Sequence, residues 1–276
     1  MSEGKDILYE VRGKVAIITL NLPKALNALN FDQYLLLGKL MEKADAEEST
    51  AVTIIQSTGR FWSAGANTHG IDSEEAKKQQ NDDQHVVWLG NFTARNVWLT
   101  DTFAKHSKVI VVAANGPAIG LSAALMAQAD LIYVKEEKDF WILTPFSNLG
   151  LVAEGASSAT LFLRLGWSKA SEALLFSRPI KGPDLKSLGF INQSYDGQFK
   201  STEEFNDAIY KQIIDQFDHL YVPSIIANKK LLKDNINKLI SAANTEEGIG
   251  GFNRFVKGIP QQRFQMLNDK KLKHKF

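Results

Sequence analysis

Hydrophobic positions change period along the chain, and the changes outline its elements. β-Rich runs at Ile7–Arg12 and Val15–Leu20, parted by Gly13, predict a hairpin. Asn30-Phe-Asp-Gln opens a helix with apolar residues at Leu35, Leu36, Leu40 and Met41. Ala51-Val-Thr-Ile-Ile reads as a strand, followed by a Gly-rich loop from Gly59 to Gly70 and a polar stretch, Asp72 to Gln84, expected to be a mobile loop or lid edge. A helix carrying Trp88, Phe92 and Val97 leads to a buried strand from Val109. The uncharged run Val109 to Ala129 has the length of a membrane span, yet Asn115-Gly116-Pro117 and Gly120 interrupt it. Its β-branched half and its alanine-rich half, from Leu121, predict a buried strand, a turn and a buried helix. Two more strands follow, Asp130-Leu-Ile-Tyr-Val and Phe140-Trp-Ile-Leu, and a helix begins near Ser157.

This order argues for an α/β fold of stacked β-β-α units. From Thr202 the strand pattern stops, and Glu203–Leu220, Pro223–Ala243 and Phe252–Leu267 carry helical periodicity. The expected organisation is a core of residues 1–201 and a helical region of residues 202–276. Phe205, Tyr210, Phe217, Phe252, Phe255 and Phe264 exceed what three short helices bury alone. They are expected to cover the core or a neighbouring subunit.

Composition narrows the chemistry. The 276 residues are 44% hydrophobic, the formal charge is +1 and there is no cysteine. Disulfides, thiolate metal sites and a cysteine nucleophile are excluded, and no basic stripe marks a nucleic-acid binder. Met1-Ser-Glu-Gly-Lys-Asp lacks the apolar segment of a secretory signal, so an intracellular location is expected. The five histidines, His69, His85, His106, His219 and His274, do not pair at metal-ligand spacing, and surface or structural roles are expected for them. No Walker loop, complete G-x-G-x-x-G, H-E-x-x-H or G-x-S-x-G occurs, and Gly248-Ile-Gly250-Gly251 reads as a helix break.

One carboxylate stands out. Between Asp139 and Arg164 the only ionisable residue is Glu154, flanked by Val152, Ala153, Gly155 and Ala156. Burial there would raise its pKa toward what a general base needs near neutral pH. The residues equally allow a glutamate that serves the dipole of the helix near Ser157. Phe61-Trp-Ser-Ala-Gly-Ala-Asn-Thr-His-Gly and Asn115-Gly-Pro-Ala-Ile-Gly-Leu-Ser each follow a strand, and the second leads into a helix whose first amides are unpaired. Two such amides aimed at one oxygen would form an oxyanion hole.

Ser63-Ala-Gly-Ala-Asn, Asn115-Gly-Pro-Ala-Ile-Gly-Leu-Ser and Pro145-Phe-Ser-Asn-Leu-Gly-Leu-Val-Ala-Glu-Gly together resemble the crotonase (enoyl-CoA hydratase/isomerase) superfamily, and within it the delta-3, delta-2 enoyl-CoA isomerases of fungal peroxisomes. The likeness runs from about Ile7 to Gly189. It implies a spiral of β-β-α units with a C-terminal helical trimerisation region, assembled as a homo-oligomer, a trimer or a dimer of trimers. The implied activity moves the double bond of a 3-enoyl-CoA to the trans-2 position in fatty acid β-oxidation. CoA is part of the substrate and no separate cofactor or metal is expected.

Carried over by this resemblance, the oxyanion donors are the backbone N–H groups of Ala66 and Leu121, and Glu154 is the single acid/base. The CoA-facing loop is Ala64, Gly65, Ala66, Asn67 and Thr68, with Asn67 where the family usually has aspartate. Asn96 resembles an asparagine that lies near the catalytic glutamate. Lys24, and Lys229 or Lys230, are candidate cations for the CoA phosphates. Enoyl-CoA hydratases hold water with two glutamates, at positions occupied here by Ala124 and Phe146. The pattern therefore implies proton shuttling without hydration. Other expectations compatible with the residues are dienoyl-CoA isomerisation, weak hydration, or non-catalytic acyl-CoA binding. The final His274-Lys275-Phe276 is similar to a Ser-Lys-Leu-type tripeptide read by a peroxisomal import receptor, and peroxisomal localisation is expected.

Overall fold

The computed structural model describes residues 5–67 and 82–273. Thr68, His69, most of the polar stretch from Asp72, and His274-Lys275-Phe276 lie outside them. The expected hairpin is present: β1 (Ile7–Arg12) pairs antiparallel with β2 (Val15–Leu20), and Gly13 takes the positive φ of 56° that the turn requires. Parallel strands β3 (Val52–Ser57), β4 (Val109–Ala114) and β6 (Leu131–Val134) follow. With β9 (Gln193–Ser194) they complete a six-stranded sheet ordered β1-β2-β3-β4-β6-β9. A second sheet holds β5 (Ala118–Ile119), β7 (Trp141–Leu143) and β8 (Ile180–Lys181). Both faces of the central strands are covered, which is why Val109–Ala114 reads as a continuous apolar run. Among the described residues no helix is long and apolar enough to cross a membrane.

Helix α1 (Phe31–Ala46) starts at a reciprocal cap in which Gln33 N donates to Asn30 Oδ1 and Asn30 N donates to Gln33 Oε1. Its buried stripe is Tyr34, Leu37, Leu40, Met41 and Ala44, so the expected face was rotated: Leu35 and Leu36 are only half-buried. The Trp88–Val97 region is not one regular helix. After α2 (Gln84–Trp88) it widens into a π-helical stretch, Leu89–Ala94, before α3 (Arg95–Lys105). Helix α4 (Gly120–Met126) is short and buried, and α5 (Ser157–Phe176) is interrupted at Gly166. The small α6 (Gly182–Ser187) follows.

Among the described residues past 201 there are four helices where three were expected: α7 (Thr202–Phe217), α8 (Val222–Asp234), α9 (Asn237–Val256) and α10 (Ile259–Asn268). The Pro223–Ala243 pattern breaks after Asp234, while Phe252 sits inside α9 and the true stop is Gly258. Gly248-Ile-Gly250-Gly251, read as a break, is helical. Phe205 and Phe217 are buried under the large sheet, and Phe255 and Phe264 pack with Phe92. These rings therefore cover their own core. The exposed apolar surface lies elsewhere, at Phe162, Leu163, Trp167 and Phe176 of α5 and Leu231 and Leu232 of α8.

Candidate active site

Three loops meet beside α1 and α4. The bridge pairing Leu29 with Ala66 is made by Leu29 N to Gly65 O (2.8 Å) and Asn67 N to Leu29 O (2.9 Å), which leaves the intervening Ala66 N–H off that ladder. Beyond it, Ser63 pairs with Ala118, and Ile119 N donates to Ser63 O at 2.9 Å. The loop through Ala66 thus runs beside the strand that opens α4. Gly65 makes the approach feasible: its φ is 83°, and a Cβ there would stand 2.6 Å from Ile119 O. Leu121 is the second residue of α4, so its N–H has no acceptor within the helix. Polar side chains fix this meeting point. Ser63 Oγ donates to Asn27 O and lies 2.8 Å from Ser122 Oγ, which in turn lies 3.0 Å from Tyr34 Oη. Buried Asn27 ties both strand exits together, donating to Thr58 O and Phe61 O and accepting from Leu22 N. These braces were not singled out from the sequence.

Glu154 comes from the third loop. Gly155 seats that turn against α4: with φ 70°, a Cβ on it would lie 2.7 Å from Ala124 Cβ and 3.2 Å from Leu121 Cδ1. Glu154 is 8% exposed and its Oε2 accepts from Asn96 Nδ2 at 3.2 Å. Asn96 Oδ1 in turn accepts from Arg95 Nε (3.0 Å) and Nη2 (2.9 Å). The Arg95 guanidinium lies over the Phe31 ring and beside Tyr34. Burial pushes the Glu154 pKa up to about 7; the Arg95 charge opposes that rise, Glu247 adds to it, and the Asn96 hydrogen bond lowers it.

The sequence left Glu154 between a base and a helix-end anion. The second task is performed by another residue, Glu247 of α9, whose carboxylate accepts from Ala156 N (2.7 Å) and Ser158 N (2.8 Å). Neither Glu247 nor Arg95 was marked by the sequence. Ala64 and Asn67 are half-buried and Ala66 is exposed, whereas Thr68 lies outside the described residues. Lys24 is exposed on a single turn, Pro23–Ala25. Lys229 is no cation for a substrate: it is 4% exposed and binds Asp130 at 2.8 Å, while Lys230 pairs with Asp234 at 2.5 Å. Ala124 and Phe146 are both buried apolar residues. Among the described residues no group of three His, Asp or Glu side chains could hold a metal ion. A surface groove of about 600 Å³ between Arg60, Asn115, Lys135 and Lys200 contains none of these site residues, and Glu136, Asp139 and Glu203 offset its cations.

Two adjoining turns beside one buried carboxylate fit the family that most of the chain matches. Residues 10–255 match the model of the enoyl-CoA hydratase/isomerase family. The chain belongs to that family. It is 39% identical over 279 residues to the 3,2-trans-enoyl-CoA isomerase of Saccharomyces cerevisiae, covering 99% of this chain and 98% of that one. The Delta(3,5)-Delta(2,4)-dienoyl-CoA isomerase of Pyricularia oryzae is 37% identical over 276 residues, covering 96% and 97%. A crystal structure of an enoyl-CoA hydratase/isomerase from Pseudoalteromonas atlantica T6c has a TM-score of 0.81 at 22% identity, over 99% of this chain and 100% of that one, a likeness of fold.

Proposed function

We propose that this member of the enoyl-CoA hydratase/isomerase family is a delta-3, delta-2 enoyl-CoA isomerase with Glu154 as its single acid/base. The observation that carries the reading is the Glu154 carboxylate, buried, hydrogen-bonded to Asn96 and shifted to a pKa of about 7. In a 3-enoyl-CoA the C2 proton is acidified by the thioester carbonyl and by the C3–C4 double bond. Glu154 takes that proton, and the electron pair moves into a dienolate whose charge rests on the thioester oxygen. The Ala66 and Leu121 amides stabilise the oxygen, each donor being worth roughly 10²–10³-fold. Protonated Glu154 returns the proton to C4, giving the trans-2-enoyl-CoA. Donor and acceptor carbons are two bonds apart, so one carboxylate serves both, and the balance requires no metal or redox cofactor. Asn96 orients the base, and Arg95 holds Asn96 by its oxygen so that the amide N–H₂ faces Glu154.

The CoA moiety is assigned to Ala64–Thr68 and exposed Lys24. Exposed Trp167, Phe176 and Leu232 supply the contacts of a homo-oligomer, a trimer or dimer of trimers. The terminal tripeptide is assigned to import into the peroxisome, which a fluorescent fusion with and without it would test. The central experiment assays wild type and Glu154→Gln on 3-enoyl-CoA substrates of several chain lengths with product analysis. Formation of 2-enoyl-CoA by wild type alone supports the reading; equal turnover by both overturns it. A second reading, dienoyl-CoA isomerisation, is favoured by the Pyricularia oryzae relative. Turnover of a 3,5-dienoyl-CoA but not of a 3-enoyl-CoA would establish that reading instead.

A further inference from the structure

One face of α9 packs on both segments that carry the Glu154–Asn96 contact. Asn244, Glu247, Gly248 and Gly251 recur at helical spacing along it. Toward α3, Asn244 Nδ2 donates to Val97 O at 2.9 Å, and a Cβ on Gly248 would lie 2.6 Å from Val97 Cγ2. A Cβ on Gly251 would stand 2.4 Å from Phe92 Cε1, so the helix is seated directly on the segment that carries Asn96. Toward Glu154, Glu247 is 7% exposed and gives one carboxylate oxygen to Ala156 N and the other to Ser158 N. These are opening amides of α5, which lack acceptors in their own helix and favour an anion. The turn they belong to is one the chain adopts reluctantly: φ is 70° at Gly155 and 58° at Ala156, and an alanine there must be held by its surroundings.

We infer that Glu247 is a positioning residue for the base, its carboxylate holding the turn from Glu154 to Ser158 in place and setting the charge environment in which Glu154 titrates. The inference rests on the isomerase reading above. Displacing a catalytic group by about 1 Å costs roughly 10²-fold in rate. The charge effect has a definite sign. Facing Glu154 are the Arg95 cation and Asn96 amide of α3, the neutral Tyr34 phenol of α1 and the Glu247 carboxylate of α9. Removing the last leaves the cation without its counterweight, so Glu154 ionises more readily and the acid limb of the rate profile moves to lower pH.

Glu247→Gln and Glu247→Asp test this, with folding checked by circular dichroism. E247Q is expected to lower kcat roughly 10–100-fold, with KM within about twofold, and to move the acid limb to lower pH. E247D, which keeps the charge on a shorter arm, should lower kcat and leave the limb in place. Carbon-13 NMR of labelled glutamate carboxyls reads the Glu154 titration in wild type and E247Q without turnover, and should show the same displacement. A folded E247Q with wild-type kcat and an unmoved titration overturns the inference. If E247Q does not fold, E247D decides: reduced kcat at unchanged KM supports the assignment and full kcat rejects it. Wild type inactive on every 3-enoyl-CoA would refute the isomerase reading alone, since the NMR comparison still reports on Glu247.

Discussion

Replacing Glu154 by glutamine separates what this side chain does for the reaction from what it costs the fold. The amide nearly keeps the carboxylate's shape, and its oxygen can still accept from Asn96 Nδ2. Charge and proton are lost. Burial is the largest influence on Glu154 and raises its pKa from 4.5 to about 7. A tenfold change in proton affinity is worth about 1.4 kcal/mol, so keeping the ionised carboxylate inside the folded chain costs about 3 kcal/mol. Below the unfolded value the side chain is protonated in both states and the cost is absent. As pH rises toward the folded value, the unfolded chain releases the proton first, so wild type loses stability progressively; above about 7 the loss is complete. Glu154→Gln should therefore melt with wild type near the acid end of this window and roughly 6 °C above it on the alkaline side, at about 2 °C per kcal/mol. On the alkaline side kcat should fall roughly 10²–10⁴-fold, with acyl-CoA affinity retained. Thermal unfolding by circular dichroism across the window, alongside isomerase assays, measures both. A melting difference independent of pH would show a solvated carboxyl, and near-normal turnover would remove Glu154 from the chemistry.

Wild-type kcat/KM should rise with pH through a midpoint near 7, because the base must be ionised to accept the C2 proton. Asn96→Ala removes a hydrogen bond that favours the ionised form, so its profile should move to higher pH and its rate fall about tenfold, less than for Glu154→Gln. Gly65→Ala places a methyl where the backbone of Ile119 stands and opposes a φ of 83°. It should lower kcat roughly 10²-fold without moving the profile, since the damage falls on the oxyanion donors; a displaced acid limb would contradict that division of labour. Trp167→Glu puts a charge in the exposed apolar face of α5 and should reduce the molecular mass measured by light scattering; a wild type that is already monomeric would reject the oligomer assignment.

Elements written in one strong period were legible in the sequence. The hairpin around Gly13, the buried strand at Val109 and the cap at Asn30 each follow from local chemistry and stand where that chemistry put them. The helical tail was legible in kind but not in its joints. Gly248 and Gly251 look like breakers in one dimension, yet they are helical because Val97 and Phe92 occupy the space that side chains would need. The face of α1 was misjudged for a related reason: Leu35 and Leu36 are as apolar as Leu37, and only the position of the sheet selects among them. At the site, Glu154 was visible because it is isolated among apolar residues. Glu247 was invisible because it lies 93 positions further on in a polar helix, with nothing local to say that it reaches the start of α5.

On the proposed reading, the difference between moving a double bond and adding water comes down to the space around Glu154. A hydratase-like arrangement would need glutamates at positions 124 and 146, and both are closed by packing rather than merely unfilled. Ala124 is fully buried and abuts Gly155 so closely that a Cβ on the glycine would lie 2.7 Å from the alanine methyl. A glutamate at 124 would have to displace the turn that carries the base. Phe146 is buried likewise, and burial is the largest influence that raises the proton affinity of Glu154. Of the two carboxylates near this turn, Glu247 is committed to the amides of Ala156 and Ser158, while Glu154 meets an asparagine. On the proposed reading, the carbon that Glu154 deprotonates and the carbon that it reprotonates are two bonds apart, so one carboxylate left free of such backbone duty suffices for isomerisation.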